Sequence, residues 1–277
     1  SLLLYRLHRM KSLHHHDLRL SLMPSLNELE QYLNAAGIAS KKDNASTLCF
    51  VLNVPMTSGK RKAFELTATQ SDSGLLIKES GGFLPNFCPN RHINMGGYFC
   101  LGFEIEGLPI DDWVSYIKDY LRAQDYVNKH RKWPKQVKEW SHGNAAYYQQ
   151  LVEGDLLKLR ENNVNIDFKK IELREISPAK CYPNQSYYHL YYDSKLVATG
   201  IENKVLNKRS TCICITDGSA KRKHKTVGGC KNECSKTLYQ IPFNEKKRIL
   251  EDNKFWEHFK GQKCCMTMND CKLNNNT

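Results

Sequence analysis

The sequence predicts an α+β protein of two modules, and three observations support this prediction. A helical pattern is followed by strand-like segments joined through tight turns, and a second group of strand-like segments follows later in the chain. The charge is also uneven, because residues 1–155 hold 18 basic and 16 acidic side chains, whereas residues 156–277 hold 23 and 13. We therefore place the boundary near residue 155 and expect an anionic partner only for the second module.

Length and composition limit the class of protein. A chain of 277 residues with 40% hydrophobic and 25% charged residues is typical of globular domains. No apolar run approaches the roughly 20 residues that a membrane-spanning helix requires, so we expect no membrane partner. The basic, Leu-rich segment of residues 1–22 lacks the apolar core and cleavage site of a secretory signal. These patterns favour a cytoplasmic protein whose fold begins at Met23, with residues 1–22 as an extension outside the fold.

The first module begins with a well-marked helix. Ser25 is a candidate N-cap, Glu28 is its capping-box partner, and Gly37 follows the end, so the pattern predicts a helix over residues 25–36. Alternating apolar residues and turn sequences then predict three strands, at Leu48–Val54, Ala63–Thr69 and Leu75–Lys78. A helix followed by strands with tight turns indicates an antiparallel meander with a helix on one face.

The remaining elements are predicted from capping residues and periodicity. Asp111 and Asp112 begin a second long helix, and shorter helices follow at residues 145–151 and 156–162. Four strands are predicted beyond the boundary, at Val164–Phe168, Ile171–Ile176, Tyr187–Tyr192 and Leu196–Gly200. A final amphipathic helix covers Glu245–Phe259, so the second module is also α+β.

The segment before Cys100 carries the features of a reactive thiol. Residues 85–104 read PNFCPNRHINMGGYFCLGFE, with Gly97 just before Cys100 and with His92 and Asn94 upstream on the same loop. A thiolate that accepts an acyl group needs an accessible sulfur and donors for the tetrahedral oxyanion, and this loop offers both. The alternative is that Cys100 begins a buried strand as a small apolar residue, which is the commonest role of a free cysteine.

The order of these elements resembles the ubiquitin-conjugating fold. It is more similar to the prokaryotic branch of that family, which is encoded in bacterial ubiquitin-like conjugation and anti-phage signalling operons. The segment CPNRHINMGGYFCL resembles the active-site segment of this branch, and WP…EWSHG at Trp133–Gly143 resembles its trailing motif. The resemblance covers about residues 24–152 and implies an antiparallel meander with flanking helices. The basic, Cys-rich residues beyond it are expected to form a separate α+β module.

The resemblance also implies an activity and partners. Cys100 would take the C-terminus of a ubiquitin-like or substrate protein as a thioester and pass the acyl group to an amine on a target. The resemblance also implies a further partner, either an adenylating activating enzyme or a nucleotide cyclase that serves as the target. Acyl transfer through a thioester requires no cofactor. Phage defence is the implied setting.

The resemblance leaves the oxyanion donor open. The His-Pro-Asn tripeptide of the eukaryotic family is absent, and His92 occupies the position of its Asn, eight residues before Cys100. Either His92 replaces that Asn or Asn94 reaches the site, and His92 is also a candidate general base. His142, which follows Trp140, is the second candidate for deprotonating the amine or for shaping the acceptor channel.

The cysteines suggest a second kind of site. Seven of the eleven lie in the last 66 residues, and an odd count without a secretory signal indicates reduced thiols. Four of them form two close pairs that suit a tetrahedral zinc ion: Cys212, Cys214, Cys230 and Cys234. Reduced, buried thiols without metal are the alternative, and Cys264, Cys265 and Cys271 are alternative ligands.

Two other functions compete with acyl transfer. The first alternative is a nucleic-acid-binding protein with an inactive first domain, because the basic run Lys221–Lys225 would attract phosphates. The simplest interpretation of that run is a solvated loop. A cysteine hydrolase is the second alternative. It would require a residue that orients the base, and the sequence offers no convincing candidate.

Overall fold

The computed structural model describes residues 24–72, 74–102, 105–161, 167–176, 187–201, 204–214 and 226–273. It divides into two compact units: residues 1–139 together with residues 260–277, and residues 140–259. Antiparallel sheets with flanking helices and a Cys-rich C-terminal module confirm the predicted α+β class. The predicted N-terminal extension, residues 1–22, lies outside the described residues.

The first unit is a four-stranded antiparallel meander with two helices. Helix α1 covers Leu26–Ala35, strands β1 to β4 cover Ser40–Asn44, Thr47–Pro55, Arg61–Ser71 and Gly74–Glu79 in that spatial order, and α2 covers Ile110–His130. The predicted first helix and three strands are confirmed to within three residues at each end. Ser25 caps α1 in a capping box with Glu28, as the sequence indicated. Strand β1 was not predicted, because its sequence SKKDN is polar and lies largely exposed.

The core of the first unit follows the alternation along β2. Leu48, Phe50, Leu52 and Val54 are buried, while Val51 on the opposite face is exposed. The buried residues of α1 and α2 belong to the same hydrophobic cluster as those of β2, with Trp113 among the largest fully buried side chains. The sheet and both helices therefore share one core, and this core forms the support for the loop between β4 and α2.

The loop between β4 and α2 folds back on itself. It contains two 3-10 turns, Pro89–Arg91 and Met95–Gly97, and Ile93 forms antiparallel bridges with Cys88 and with Phe99. The Phe99 N–H donates to the carbonyl of Ile77 in β4 at 2.7 Å. These bonds join the loop to the edge of the sheet and fix the position of the next residue, Cys100.

A buried polar network joins the same loop to α2. Arg91 is 1% exposed, and its Nε donates to the side chain of Gln124 at 2.9 Å. The Gln124 amide donates in return to the Arg91 carbonyl at 2.6 Å. The Tyr120 hydroxyl donates to the carbonyls of Arg91 at 3.2 Å and of His92 at 2.8 Å. Each member of this network is therefore paired, as buried polar groups must be.

The second unit is a four-stranded antiparallel sheet with two long helices. Helix α3 covers Asn144–Glu161, strands β5 to β8 cover Ile171–Ile176, Tyr187–Tyr192, Lys195–Ile201 and Lys204–Val205, and α4 covers Cys234–His258. Its core contains Val152, Leu156 and Leu159 of α3 together with Leu238 and Ile241 of α4. The predicted strands at Ile171–Ile176, Tyr187–Tyr192 and Leu196–Gly200 are confirmed.

Several predictions for this unit differ from the structure. The two short helices predicted at residues 145–151 and 156–162 are one helix, because packing against α4 outweighs the roughly 1 kcal/mol that Gly154 costs a helix. The last helix starts at Cys234 and includes Pro242, rather than starting at Glu245. Of the strand predicted at Val164–Phe168, residues 164–166 lie outside the described residues, and Phe168 begins a 3-10 turn. The boundary predicted near residue 155 falls inside α3, whereas the two units separate between Glu139 and Trp140.

Within the described ranges, no helix combines the length and the apolarity needed to cross a membrane.

The network between Arg91 and Gln124 yields a prediction about stability. Replacing Gln124 by Leu removes the acceptor of a buried guanidinium and the donor to the Arg91 carbonyl. We expect a loss of about 2–3 kcal/mol in the free energy of unfolding, because hydrogen bonds to charged groups contribute on that scale. Urea unfolding of the full chain measures the loss. Asn128→Leu changes an exposed position one turn further along α2 and should cost less than about 0.5 kcal/mol. Equal midpoints for the two variants would contradict the proposed importance of the network.

Candidate active site and metal centre

Cys100 lies at the point where the loop leaves the sheet. Its backbone N–H donates to the carbonyl of His92 at 2.7 Å. Phe99 and Leu101 on either side are buried in the core, whereas Cys100 is half-buried. The flanking residues therefore anchor the backbone on both sides of Cys100.

Two hydrogen-bond donors act on the Cys100 sulfur. Burial raises the pKa of this thiol above its ordinary value, and hydrogen bonds from the Gly102 backbone N–H and the Asn94 side chain lower it in part. The net direction is upward, so the thiol is protonated at neutral pH in the free protein. The two donors are arranged so that negative charge at or beside the sulfur would be stabilised.

His92 contacts this site through its backbone. Its φ of 54° lies in the left-handed region, and its carbonyl accepts from both Cys100 N–H and the Tyr120 hydroxyl. The imidazole is 4% exposed and packs edge-on against Trp133, with ring centroids 4.9 Å apart. The sequence left His92 and Asn94 as alternative donors. The Asn94 side chain lies close enough to lower the pKa of Cys100, and the catalytic roles of Asn94 and His92 both stay predictions.

Two consecutive glycines make the turn between Asn94 and Cys100. Gly96 and Gly97 both have φ of 81°, a region that favours glycine. A Cβ on Gly96 would lie 3.2 Å from the Tyr98 ring, and the Gly97 N–H donates to the Asn86 carbonyl at 2.8 Å. This tight turn allows the Asn94 side chain to return to the Cys100 sulfur.

The sequence analysis missed two residues at this site. Gly102 lies within the segment that was singled out, but no pattern marks its N–H as a donor. Tyr120 occupies an ordinary core position of α2, and its pKa is raised mainly by burial and next by the nearby charge of Cys100. Helical periodicity could identify Tyr120 as buried, but it could not identify its bonds to the loop.

His142 lies in the second unit, within a cluster of aromatic and acidic residues. Its Nδ1 is 3.3 Å from Oδ1 of Asp252, its ring stacks on Phe255 at 4.8 Å, and it meets Trp256 edge-on at 4.8 Å. The Trp256 indole N–H donates to the other Asp252 oxygen at 3.2 Å. Asp252 therefore orients this imidazole, a partner that the sequence did not reveal because it lies 110 residues away. The role assigned to His142 in the chemistry stays a prediction.

Four cysteines of the second unit converge as the sequence predicted. The sulfurs of Cys212, Cys214, Cys230 and Cys234 all lie within 4.8 Å of one another. Cys214 Sγ is 3.5 Å from that of Cys212 and 3.3 Å from that of Cys230. A tetrahedral zinc site with Zn–S bonds of about 2.3 Å separates its sulfurs by about 3.8 Å, so these four thiols fit a zinc ion closely.

The elements around this cluster explain its compactness. Thr211, directly before Cys212, forms an antiparallel bridge with Thr226. Cys214 lies two residues after Cys212, and Cys234 is the first residue of α4. A hydrogen bond with Cys234, the largest cause, lowers the pKa of Cys212 to about 5. One sulfur of the set therefore loses its proton readily, as a metal ligand must.

Two sequence predictions have a different outcome in this region. The alternative ligands Cys264, Cys265 and Cys271 belong to the first unit, so the zinc cluster is complete without them. The basic run Lys221–Lys225 lies outside the described residues, and the nucleic-acid hypothesis that depends on it stays a prediction.

Comparisons with known proteins identify both parts of the chain. Residues 36–135 match the family model described as the prokaryotic E2 domain, where E2 denotes the ubiquitin-conjugating class. Residues 141–273 match the model described as the cysteine-rich domain C-terminal to the E2 domain. Neither the curated proteins nor the solved structures include a match. The two matches support the predicted resemblance for the residues that they cover: residues 36–135 are similar to a prokaryotic E2 domain, and residues 141–273 are similar to the cysteine-rich domain that follows such a domain.

Proposed function

We propose that the protein is a ubiquitin-conjugating-like acyl transferase in which Cys100 is the nucleophile. The observation that carries the proposal is a half-buried cysteine, within the residues that match a prokaryotic E2 domain, with the Asn94 side chain and the Gly102 N–H close enough to lower the pKa of its thiol. A thiol without a metal or cofactor can perform acyl transfer through a covalent thioester. A packing cysteine would have no need of two donors aimed at its sulfur.

The proposed reaction has two steps. The Cys100 sulfur, after loss of its proton to solvent, attacks the carbonyl carbon of an activated C-terminus, and the previous carrier leaves as a thiolate. In the second step an amine attacks the thioester carbonyl, an amide bond forms, and Cys100 leaves as a thiolate while the amine proton passes to a base or to solvent. Both steps pass through a tetrahedral intermediate that carries a negative oxygen.

Asn94 is the proposed oxyanion donor. The oxygen of the tetrahedral intermediate is bonded to the carbon that Cys100 Sγ attacks, so it lies close to any donor that already reaches the sulfur. Asn94 and Gly102 are such donors. His92 is the weaker candidate, because its imidazole packs against Trp133 and its carbonyl is engaged by Cys100 and Tyr120.

The proposed partners follow from this chemistry. The donor is a ubiquitin-like or substrate protein with a free C-terminus, and its carboxylate must first be activated, as an adenylating enzyme would do. The acceptor is an amine of a target protein. Because burial raises the pKa of Cys100, its thiol has to lose a proton before it can attack the activated C-terminus.

We also propose that the four-cysteine cluster of the second unit holds a structural zinc ion. Structural zinc sites are closed by four protein ligands and have no open position for water. Cys212 and Cys234 are buried and Cys214 and Cys230 are half-buried, which suits a closed site. In this role the ion would join the loops before α4 to the start of that helix.

The thioester can be tested without a known activating enzyme. The probe is a peptide ending in glycine and supplied as a mercaptoethanesulfonate thioester, which can acylate a cysteine directly. We expect an adduct on Cys100 that hydroxylamine releases and that Cys100→Ala abolishes. Cys49→Ala is the matched control, because Cys49 is another half-buried thiol and should leave the adduct unchanged. Intact mass spectrometry measures the adduct. An adduct of equal amount in Cys100→Ala would contradict the assignment.

The role of Asn94 can be separated from that of the nucleophile. Asn94→Ala should slow transfer from the Cys100 thioester to an amine by about 100-fold, the usual cost of removing one oxyanion donor. The substitution also removes a donor to the thiolate, so the pKa of Cys100 rises and alkylation by iodoacetamide slows at fixed pH. The pH profile of alkylation should therefore move to higher pH. Asn86→Ala, an exposed asparagine of the same loop, should leave both quantities unchanged. If the two variants behave alike, Asn94 is not the donor.

The zinc proposal predicts a defined metal content. Cys214→Ser should lower the zinc bound per chain by one equivalent, because a three-thiolate site binds the ion more weakly. At free zinc about 1,000-fold above the dissociation constant, binding would stabilise the second unit by about 4 kcal/mol, so a chelator should lower its unfolding midpoint. Elemental analysis and chemical denaturation measure these effects. Unchanged zinc content in Cys214→Ser would show that the cluster is not the site.

A further inference from the structure

A second group of cysteines lies in the first unit, at the base of the Cys100 loop. Cys265 Sγ is 2.7 Å from Cys88 Sγ, and Cys88 also hydrogen-bonds Cys271. Cys271 in turn hydrogen-bonds Cys264. Thiols from two distant parts of the chain therefore lie near one another, with Cys88 and Cys265 the closest pair, and Cys88 and Cys271 are buried.

The backbone around three of these cysteines is arranged to stabilise thiolates. Each sulfur accepts a hydrogen bond from the backbone N–H two residues further on: Cys264 from Met266, Cys265 from Thr267, and Cys271 from Leu273. Cys212 of the first cluster accepts the same kind of bond from the Cys214 N–H. Backbone donors to sulfur favour the charged form of the thiol, and only the charged form is a good metal ligand. Met266 adopts a left-handed φ of 58° between these donors.

A fixed positive charge lies beside the same sulfurs. The guanidinium of Arg91 is held in the interior by Gln124 and interacts electrostatically with Cys88 and Cys265. Four thiolates around a divalent ion carry a net charge of −2, and a neighbouring cation compensates part of it. A group of four neutral thiols would not require a buried cation at this position.

The segment that carries three of the four cysteines is anchored to the first unit by further bonds. Arg131, at the end of α2, donates to the Asn269 side chain and to the Met266 carbonyl, both at 2.9 Å. The Asn269 N–H donates to the Arg131 carbonyl at 3.0 Å. Met268 and Leu273 are buried. These contacts hold residues 264–273 against the loop independently of the sulfurs, so the four thiols are presented to one another by a preformed scaffold.

We propose that Cys88, Cys264, Cys265 and Cys271 form a second metal site, which takes a zinc ion or another thiophilic divalent ion. The group is less compact than the four cysteines of the second unit, so binding would draw its sulfurs toward the separation of about 3.8 Å that a tetrahedral site requires. A disulfide between Cys88 and Cys265 is the competing outcome. It would leave Cys264 and Cys271, with their backbone donors, without a function.

Such an ion would fix the loop that carries the nucleophile. Cys88 exchanges two backbone hydrogen bonds with Ile93, each of 3.0 Å, and Ile93 pairs with Phe99, the residue before Cys100. A metal bound to Cys88 would therefore hold the base of this loop to the segment of residues 264–273. Its role in this position is structural, since all four ligands come from the protein.

Metal counting tests the proposal directly. The full chain is purified under reducing conditions with zinc present, and zinc is counted by native mass spectrometry. We expect two equivalents for the wild type and for Cys49→Ser, one for Cys265→Ser, one for Cys214→Ser, and none for the double variant. Zinc content in Cys265→Ser equal to that of the wild type would overturn the proposal. A wild-type mass lower by two hydrogens, together with a cross-linked peptide that contains both Cys88 and Cys265, would show a disulfide and overturn the metal-site proposal.

A second measurement uses the wild type alone and so does not depend on the folding of any variant. A zinc chelator should increase the alkylation of Cys88, Cys264, Cys265 and Cys271 together, while Cys49 stays unchanged. Alkylation of these four that is indifferent to the chelator would overturn the proposal. Neither measurement requires acyl transfer, so the site can fail while the proposed activity stands, or the reverse.

Discussion

The candidate active site depends on one constraint: a loop rich in glycine and polar residues has to be held against a hydrophobic core. The buried pairing of Arg91 with Gln124 meets this constraint, and Tyr120 completes it by donating to two successive loop carbonyls. One of these is the carbonyl of His92, which also accepts the N–H of Cys100. The position of Cys100 is thus set by a hydrogen-bonded path from helix to loop rather than by apolar packing alone. Such a path is directional, which packing by itself is not.

Burial and the polar groups near Cys100 have opposite effects on the protonation of its thiol. Burial favours the neutral thiol, while Asn94 and Gly102 favour the thiolate, and burial has the larger effect. A thiol of this kind is protected from random alkylation and oxidation, because the thiolate is the reactive form. In the proposed reaction the same two groups would be in place for the oxyanion, whose charge develops only during reaction. Low reactivity at rest and stabilisation of the transition state would then come from different features of the site.

The sequence predicted those parts of the fold that depend on local patterns. The capping box of Ser25 and Glu28 and the alternation from Leu48 to Val54 identified α1 and β2, because neighbouring residues determine both features. The polar strand β1 has no apolar alternation, and α3 continues through Gly154 only because α4 packs against it. Residue types and spacing singled out Cys100 and Asn94 as candidates, and they predicted the four cysteines of the second unit that the structure brings together. Tyr120, Asp252 and Cys88 were not, because their roles arise from contacts between residues far apart in the chain.

The discontinuous first unit has a consequence for how the protein is made. Residues 260–273 belong to the same unit as the meander, and Cys265 lies 177 residues after its neighbour Cys88. A ribosome adds about 5–20 residues per second, so Cys265 is synthesised roughly 10–35 s after Cys88. During this interval the entire second unit is synthesised. The Cys100 loop therefore gains its contacts with residues 264–273 only after the second unit has been synthesised, and the nascent chain passes through a stage in which the sheet is complete while this loop lacks those contacts.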